Sequence, residues 1–113
     1  MTGTDAPVEP VNPIANFYAA VTRRSLDGTP ETGFEPAQKL TRQEALYAMT
    51  LAGAYAAFEE SEKGSIEVGK LADLTVLSQD LMTIEADRIL DTAVSWTMVN
   101  GEVVYSRNAT KAP

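Results

Sequence analysis

The dipeptide Asn100-Gly101 stands between two apolar, β-branched runs, Ala93–Val99 and Glu102–Ser106. Both central residues of a type I′ turn need positive φ, and Asn-Gly supplies them at the lowest steric cost. The C-terminal part of the chain is therefore an antiparallel hairpin, and a hairpin alone is too small to be stable in water. A third strand is available in the run from Asp73 to Ser78 (DLTVLS). A fourth, shorter one is expected over Ser65–Val68, with Gly69-Lys70 turning between them, and a brief helix over residues 84–91.

The N-terminal half has the other periodicity. Asn12-Pro13 reads as an N-cap followed by proline at the first helical position. Ile14, Phe17, Tyr18 and Val21 then recur at helical spacing, which predicts a helix over 13–25 with Arg23 and Arg24 near its C-terminal end. Prolines 7, 10 and 13 keep residues 1–12 a loop. Residues 26–40, rich in Gly, Pro and Thr, form a second, long surface loop. Thr41 and Glu44 have capping-box spacing and open a helix expected to run unbroken to about Phe58. Its alanines at 45, 48, 52, 54, 56 and 57 imply close packing on more than one side, and Gly53 a close backbone approach. Glu59, Glu60, Glu62 and Lys63 form a solvated turn that Gly64 ends. Read from the residues alone, the fold class is α+β, and only the alanine-rich helix is available to cover the sheet.

Absences narrow the chemistry. The 113 residues include no histidine and no cysteine. Ser–His–Asp and Cys–His catalysis, disulfides and thiolate-bound zinc are therefore impossible within this chain. The commonest neutral-pH base and the commonest metal ligand are missing as well. Sixteen acids against nine bases give a net charge of −7, which argues against a nucleic acid or an anionic membrane as partner. No run approaches the roughly 20 apolar residues of a membrane span, and Met1–Pro10 has neither the basic nor the apolar region of a signal peptide. A cytoplasmic location is the default expectation.

Few residues suggest a site on composition. Asp5 reads first as a turn former before a proline-rich loop. Glu59, Glu60 and Glu62 lack the pattern of a calcium loop and read as a solvated face. Gly64-x-x-x-x-Gly69-Lys70 has the outline of a phosphate loop but continues with Leu71 and leads into a strand, so it reads as a chance match. Trp96 and Tyr105 are expected in the core, and Asp73 as a buried hydrogen-bonding acid at a strand start.

Several segments together resemble one family. Gly64-x-x-x-x-Gly69-Lys70-x-Ala72-Asp73-Leu74-x-Val76-Leu77, followed by Val99-Asn100-Gly101-x-x-Val104-Tyr105, resembles the C-terminal end of the amidohydrolase superfamily. Thr4–Val8, Asn12-Pro13, Tyr18–Arg24 and Leu40–Glu60 are similar to the branch that includes N-substituted formamide deformylases, some of whose members are labelled exoenzyme regulatory proteins. The resemblance covers about residues 3–107.

It implies a piece of a (β/α)₈ barrel with a small β-sandwich built from both chain ends. Residues 1–62 would be the end of the barrel, with the loop after its eighth strand and the final helices. Residues 63–107 would be a segment of the composite sandwich, and 108–113 a disordered tail. Barrels place their active sites at the C-terminal mouth. The family's divalent metal, zinc by expectation, sits there among histidines and one aspartate, which orients and deprotonates the attacking water. Asp5 occupies the matching position, as a catalytic and metal-site residue only within the whole enzyme. The histidines would lie outside this chain, and one carboxylate cannot hold a catalytic zinc.

The implied function is the C-terminal portion of a metal-dependent hydrolase of non-peptide carbon–nitrogen bonds, amide or amidine in type. Alone it is expected to hold no cofactor and to be inactive. Its expected partners are the remainder of the barrel and, through the exposed sheet edge and alanine-rich helix, further copies of itself. A stand-alone structural or interaction domain is the rival reading. A carboxylate enzyme built on Asp5 is the third.

Overall fold

Asn12 opens the first helix as its sequence position predicts. In the computed structural model, which describes residues 1–108, its Oδ1 accepts hydrogen bonds from the amides of Ile14 at 3.0 Å and Ala15 at 3.3 Å. Helix α1 spans Pro13–Thr22 and stops short of the expected residue 25. Two local contacts end it. Arg23 takes a left-handed conformation (φ 59°), and the Thr22 hydroxyl accepts the Arg24 amide at 3.2 Å, withdrawing that donor from the helical ladder. The long loop that follows contains one short 3₁₀ turn, Pro36–Gln38. It is tied to α1 through Phe34 N to Arg23 O (2.8 Å) and Leu40 N to Ala20 O (3.0 Å).

The capping box forms in full. The Glu44 amide donates to Thr41 Oγ1 at 3.2 Å, and the Thr41 amide donates to Glu44 Oε2 at 2.8 Å. The helix it opens is broken in two, however, with α2 over Arg42–Met49 and α3 over Leu51–Ala56. Thr50 sits at the break with φ −120° and ψ −94°. Its hydroxyl donates to Leu46 O at 2.8 Å and its amide to Tyr47 O at 3.2 Å, so hydroxyl and amide both turn back on the preceding turn. Gly53 has open space around it, contrary to expectation. The close approach falls at Gly64, where a Cβ would lie 2.8 Å from Ala54 Cβ and 3.0 Å from Leu51 Cα.

Residues 65–68 form no strand, contrary to expectation: Ser65 is a bend, 66–67 are irregular and a turn begins at Val68. Lys70 is the reason: its Nζ donates to Glu60 O and Ser65 Oγ, both at 2.6 Å, and gathers the segment into a compact loop. Three strands then make one antiparallel sheet in the order β1 (Leu74–Leu77), β2 (Val94–Val99), β3 (Glu102–Ser106). Asn100 (φ 49°) and Gly101 (φ 82°) form the hairpin turn with positive φ at both positions. The expected helix near 84–91 is a 3₁₀ helix, Ala86–Asp91, between β1 and β2. Of the tail expected over 108–113, residues 109–113 lie outside the described residues.

The core lies between the helices and this 3₁₀ helix. It contains Ile14, Phe17, Tyr18, Ala45, Leu81 and Ile89, with Leu77 at the end of β1 packed against it. The Arg24–Asp87 ion pair (2.9 Å) closes the α1 side. Ala45 and Ala48 of α2 are buried, and Ala45 packs in this helical core. The alanine-rich segment thus does not serve as the cover of the sheet. In consequence Trp96 is only half-buried and Tyr105 is 49% exposed, where core positions were expected.

Candidate functional site

Asp5 lies in a tight turn, with the Val8 amide donating to its carbonyl at 2.9 Å across a cis Ala6–Pro7 bond. Its φ is 52°, a left-handed conformation that aspartate tolerates better than most residues. The residue is exposed. Three residues earlier, the Thr2 amide donates to Ala48 O at 3.1 Å, which anchors this N-terminal segment to the end of α2. The buried hydroxyl of Thr2 has no hydrogen-bond partner.

Among the described residues, the surface clefts include two of note. One, of about 290 Å³, lies where Thr2 meets Asn16, Arg23 and Gln38. The other, of about 450 Å³, runs between Leu46 of α2 and the stretch from Leu77 to Met82. Asp5 lines neither of them.

The acids after α3 are used structurally. Glu59 pairs with Lys63 at 2.7 Å, and this contact raises the Lys63 ammonium above its ordinary range. The carbonyl of Glu60 receives Lys70, and that of Glu62 receives the Leu71 amide at 2.8 Å. Among the described residues, no three acids converge closely enough to hold a metal ion.

Three contacts were only partly visible in the sequence. Gly64-x-x-x-x-Gly69-Lys70 is no phosphate cradle, because the Lys70 ammonium is turned inward and its side chain is only 11% exposed. Its spacing was the signal of a lysine-pinned turn. Asp73 does hydrogen-bond at the strand start, accepting from the Asn100 amide at 2.8 Å, yet it is exposed and not buried. Arg23 does more than place a charge near a helix end. It also stacks over the Phe34 ring at 5.8 Å and donates from Nε to Phe34 O at 3.1 Å.

Comparison with known proteins adds what the geometry lacks. The model of the amidohydrolase family matches residues 1–105. "Putative amidohydrolase YtcJ" of Bacillus subtilis (strain 168) is 32% identical over 106 residues, which are 94% of this chain and 20% of that protein. An N-substituted formamide deformylase of Arthrobacter pascens is 35% identical over 104 residues, 92% of this chain and 19% of that protein. Protein LONG AFTER FAR-RED 3 of Arabidopsis thaliana is 32% identical over 103 residues, 91% of this chain and 17% of that protein. The chain thus spans about a fifth of the length of the curated relatives it matches. No solved structure matches it at the same stringency. Among the described residues, no helix is long and apolar enough to cross a membrane.

Proposed function

This chain belongs to the amidohydrolase family, and from that premise we propose that it is the C-terminal portion of a metal-dependent hydrolase acting on non-peptide carbon–nitrogen bonds. One observation carries the reading: the family match runs over almost the whole chain, yet the chain amounts to only a fifth of its relatives. Residues 1–62 are then the end of the catalytic barrel, and 63–107 a strip of its companion sandwich. The substrate class is amide- or amidine-like, in keeping with the deformylase relative.

Asp5 is the residue this chain contributes to the reaction. An exposed carboxylate in a tight turn, tethered through Thr2 to α2, suits a loop that follows a barrel strand. In the whole enzyme it serves as a general base and as one donor to the metal. The metal does not fit this chain alone. A catalytic zinc takes about three protein ligands, and the described residues bring no such set together. The chain has no imidazole to complete one. No chemical step belongs to it in isolation.

The test uses the longer reading frame. The whole protein should hydrolyse an N-substituted formamide or a related amide, and Asp5→Asn should lower kcat by about 10²–10⁴-fold, the usual worth of a positioned base. Unchanged turnover in Asp5→Asn would remove Asp5 from the mechanism. A reading frame that adds no sequence to this chain would favour the stand-alone domain.

A further inference from the structure

An asparagine side chain is open to attack by the backbone nitrogen of the next residue, and most open when that residue is glycine, which has no side chain to crowd the nitrogen. Of the four asparagines in the chain, Asn100 alone precedes a glycine. Asn100 and Gly101 are both exposed. Asn12 precedes Pro13, whose nitrogen carries no hydrogen to lose. Asn16 lies within α1 ahead of the bulky Phe17, and Asn108 precedes Ala109, whose methyl crowds the nitrogen. This chemistry is therefore concentrated at the hairpin turn.

The folded turn keeps the reacting atoms apart. Asn100 has φ 49°, and a left-handed residue has ψ of roughly +45°. That ψ sets the Gly101 nitrogen nearly anti to Asn100 Cβ, whereas closing a five-membered ring needs the two nearly eclipsed. Attack thus requires a large rotation about the Asn100 Cα–C bond. Two long-range hydrogen bonds oppose it. The Asn100 amide donates to Asp73 Oδ1 at 2.8 Å, and the Gly101 amide, which contains the attacking nitrogen, donates to Ala72 O at 3.1 Å. While the second bond stands, that nitrogen keeps its hydrogen and faces Ala72.

We propose that Asn100 is a self-modification site of this protein, and that the clamp to Ala72 and Asp73 sets its rate. When the turn opens, the Gly101 nitrogen loses its proton and bonds to Asn100 Cγ. The Cγ–Nδ2 bond breaks, and the departing nitrogen takes up a proton and leaves as ammonia. A cyclic imide remains. Water then adds to one of its two carbonyl carbons. Breaking the Cγ–N bond gives aspartate on the original backbone; breaking the bond from nitrogen to the Asn100 carbonyl carbon gives isoaspartate, whose backbone runs through Cγ. The net change is one water gained and one ammonia lost, and the chemistry needs nothing from outside the chain but water. Isoaspartate lengthens the two-residue turn by one methylene, so the pair of positive φ values that Asn-Gly supplies at low cost is lost. The hairpin then leaves its anchor on Asp73, an age-dependent change at one end of the sheet.

The chain is held at mildly alkaline pH, and its peptides are separated and weighed by mass spectrometry over time. The expected result is conversion at Asn100 ahead of Asn12, Asn16 and Asn108, with aspartate and isoaspartate as separate products. Asp73→Ala should raise the rate at Asn100 about fivefold, the gain in open turn when a hydrogen bond of ordinary net worth is lost. Asp73→Asn keeps an acceptor oxygen and should stay near the parent rate. Ile89→Val weakens the core without touching the turn and should leave the rate unchanged, which separates loss of the clamp from loss of stability. In concentrated urea the parent should convert faster than in its native state, a test that holds even where Asp73→Ala does not fold. Parent and Asp73→Ala should convert there at one rate, since no turn remains to be held. An Asn100 that stays intact in both conditions overturns the proposal, as does conversion that begins at another asparagine. Equal native rates for parent and Asp73→Ala overturn it too, as do an Ile89→Val rate as high as that of Asp73→Ala and a parent that converts no faster in urea.

Discussion

The carboxylate of Asp73 accepts a hydrogen bond from the backbone amide of Asn100 at 2.8 Å, across 27 residues of sequence. The Gly101 amide donates to Ala72 O at 3.1 Å beside it. Together they fasten the hairpin turn to the residues just before β1, so the two ends of the sheet's connection are locked at one edge. Asp73→Ala should therefore cost about 1 kcal/mol, read as a lower urea midpoint at constant m-value. Asp73→Asn keeps an acceptor oxygen and should recover most of the loss. Equal destabilisation by both would show that charge, not the hydrogen bond, matters.

Acid should loosen the N-terminus of α2. Two hydrogen bonds, from the Thr41 amide and the Thr41 hydroxyl, hold the Glu44 carboxyl below its ordinary value of 4.5. A lowered folded value means that the stabilisation is complete above the unfolded value and is lost as pH falls through the folded one. The stability difference between the parent and Glu44→Gln should thus be constant near neutrality and shrink below about pH 4.5. Chemical denaturation of both proteins at several pH values checks this. A difference that grows on acidification contradicts it.

Ile89 is fully buried between α1 and the 3₁₀ helix that holds it. Ile89→Val should cost about 0.5–1.5 kcal/mol and Ile89→Ala about 2–5 kcal/mol, because the cavity cannot collapse among Phe17, Tyr18 and Leu81. In a chain whose sheet adds little to the core, the alanine variant should melt broadly or not fold at room temperature. Thermal unfolding followed by circular dichroism decides.

Phe58 and Gly64 make opposite predictions from the same backbone region. Phe58 is 91% exposed with φ 59°, and the Glu59 amide caps the end of α3 through Ala54 O at 2.9 Å. Phe58→Gly should stabilise the isolated chain by about 0.5 kcal/mol, since glycine adopts this conformation without steric cost and no packing is lost. Gly64→Ala should unfold the loop, because φ is 94° and the new methyl would press on Ala54 and Leu51. Limited proteolysis between residues 58 and 70 distinguishes the two.

The elements most legible in the sequence were those whose signal is local. Asn12-Pro13, the Thr41–Glu44 box and Asn100-Gly101 each satisfy their own backbone within a few residues, and all three formed as read. The misreadings lie where a side chain competes with the backbone. Thr50 and Thr22 interrupt helices through their hydroxyls, and Lys70 folds a would-be strand into a loop. Trp96 and Tyr105 were misplaced for a different reason. Their alternation is that of a covered sheet, and no element among the described residues covers them. Asp5 could not be separated from an ordinary turn aspartate by pattern, since its conformation and its exposure are both those of a turn residue. Only the resemblance singled it out.

The most direct test of this account is the zinc content and amide hydrolysis of the purified chain, measured beside the protein encoded by its whole reading frame. The account predicts a chain without stoichiometric metal and without turnover, and a whole protein with both. Stoichiometric zinc in the chain together with unaided cleavage of an amide would contradict it.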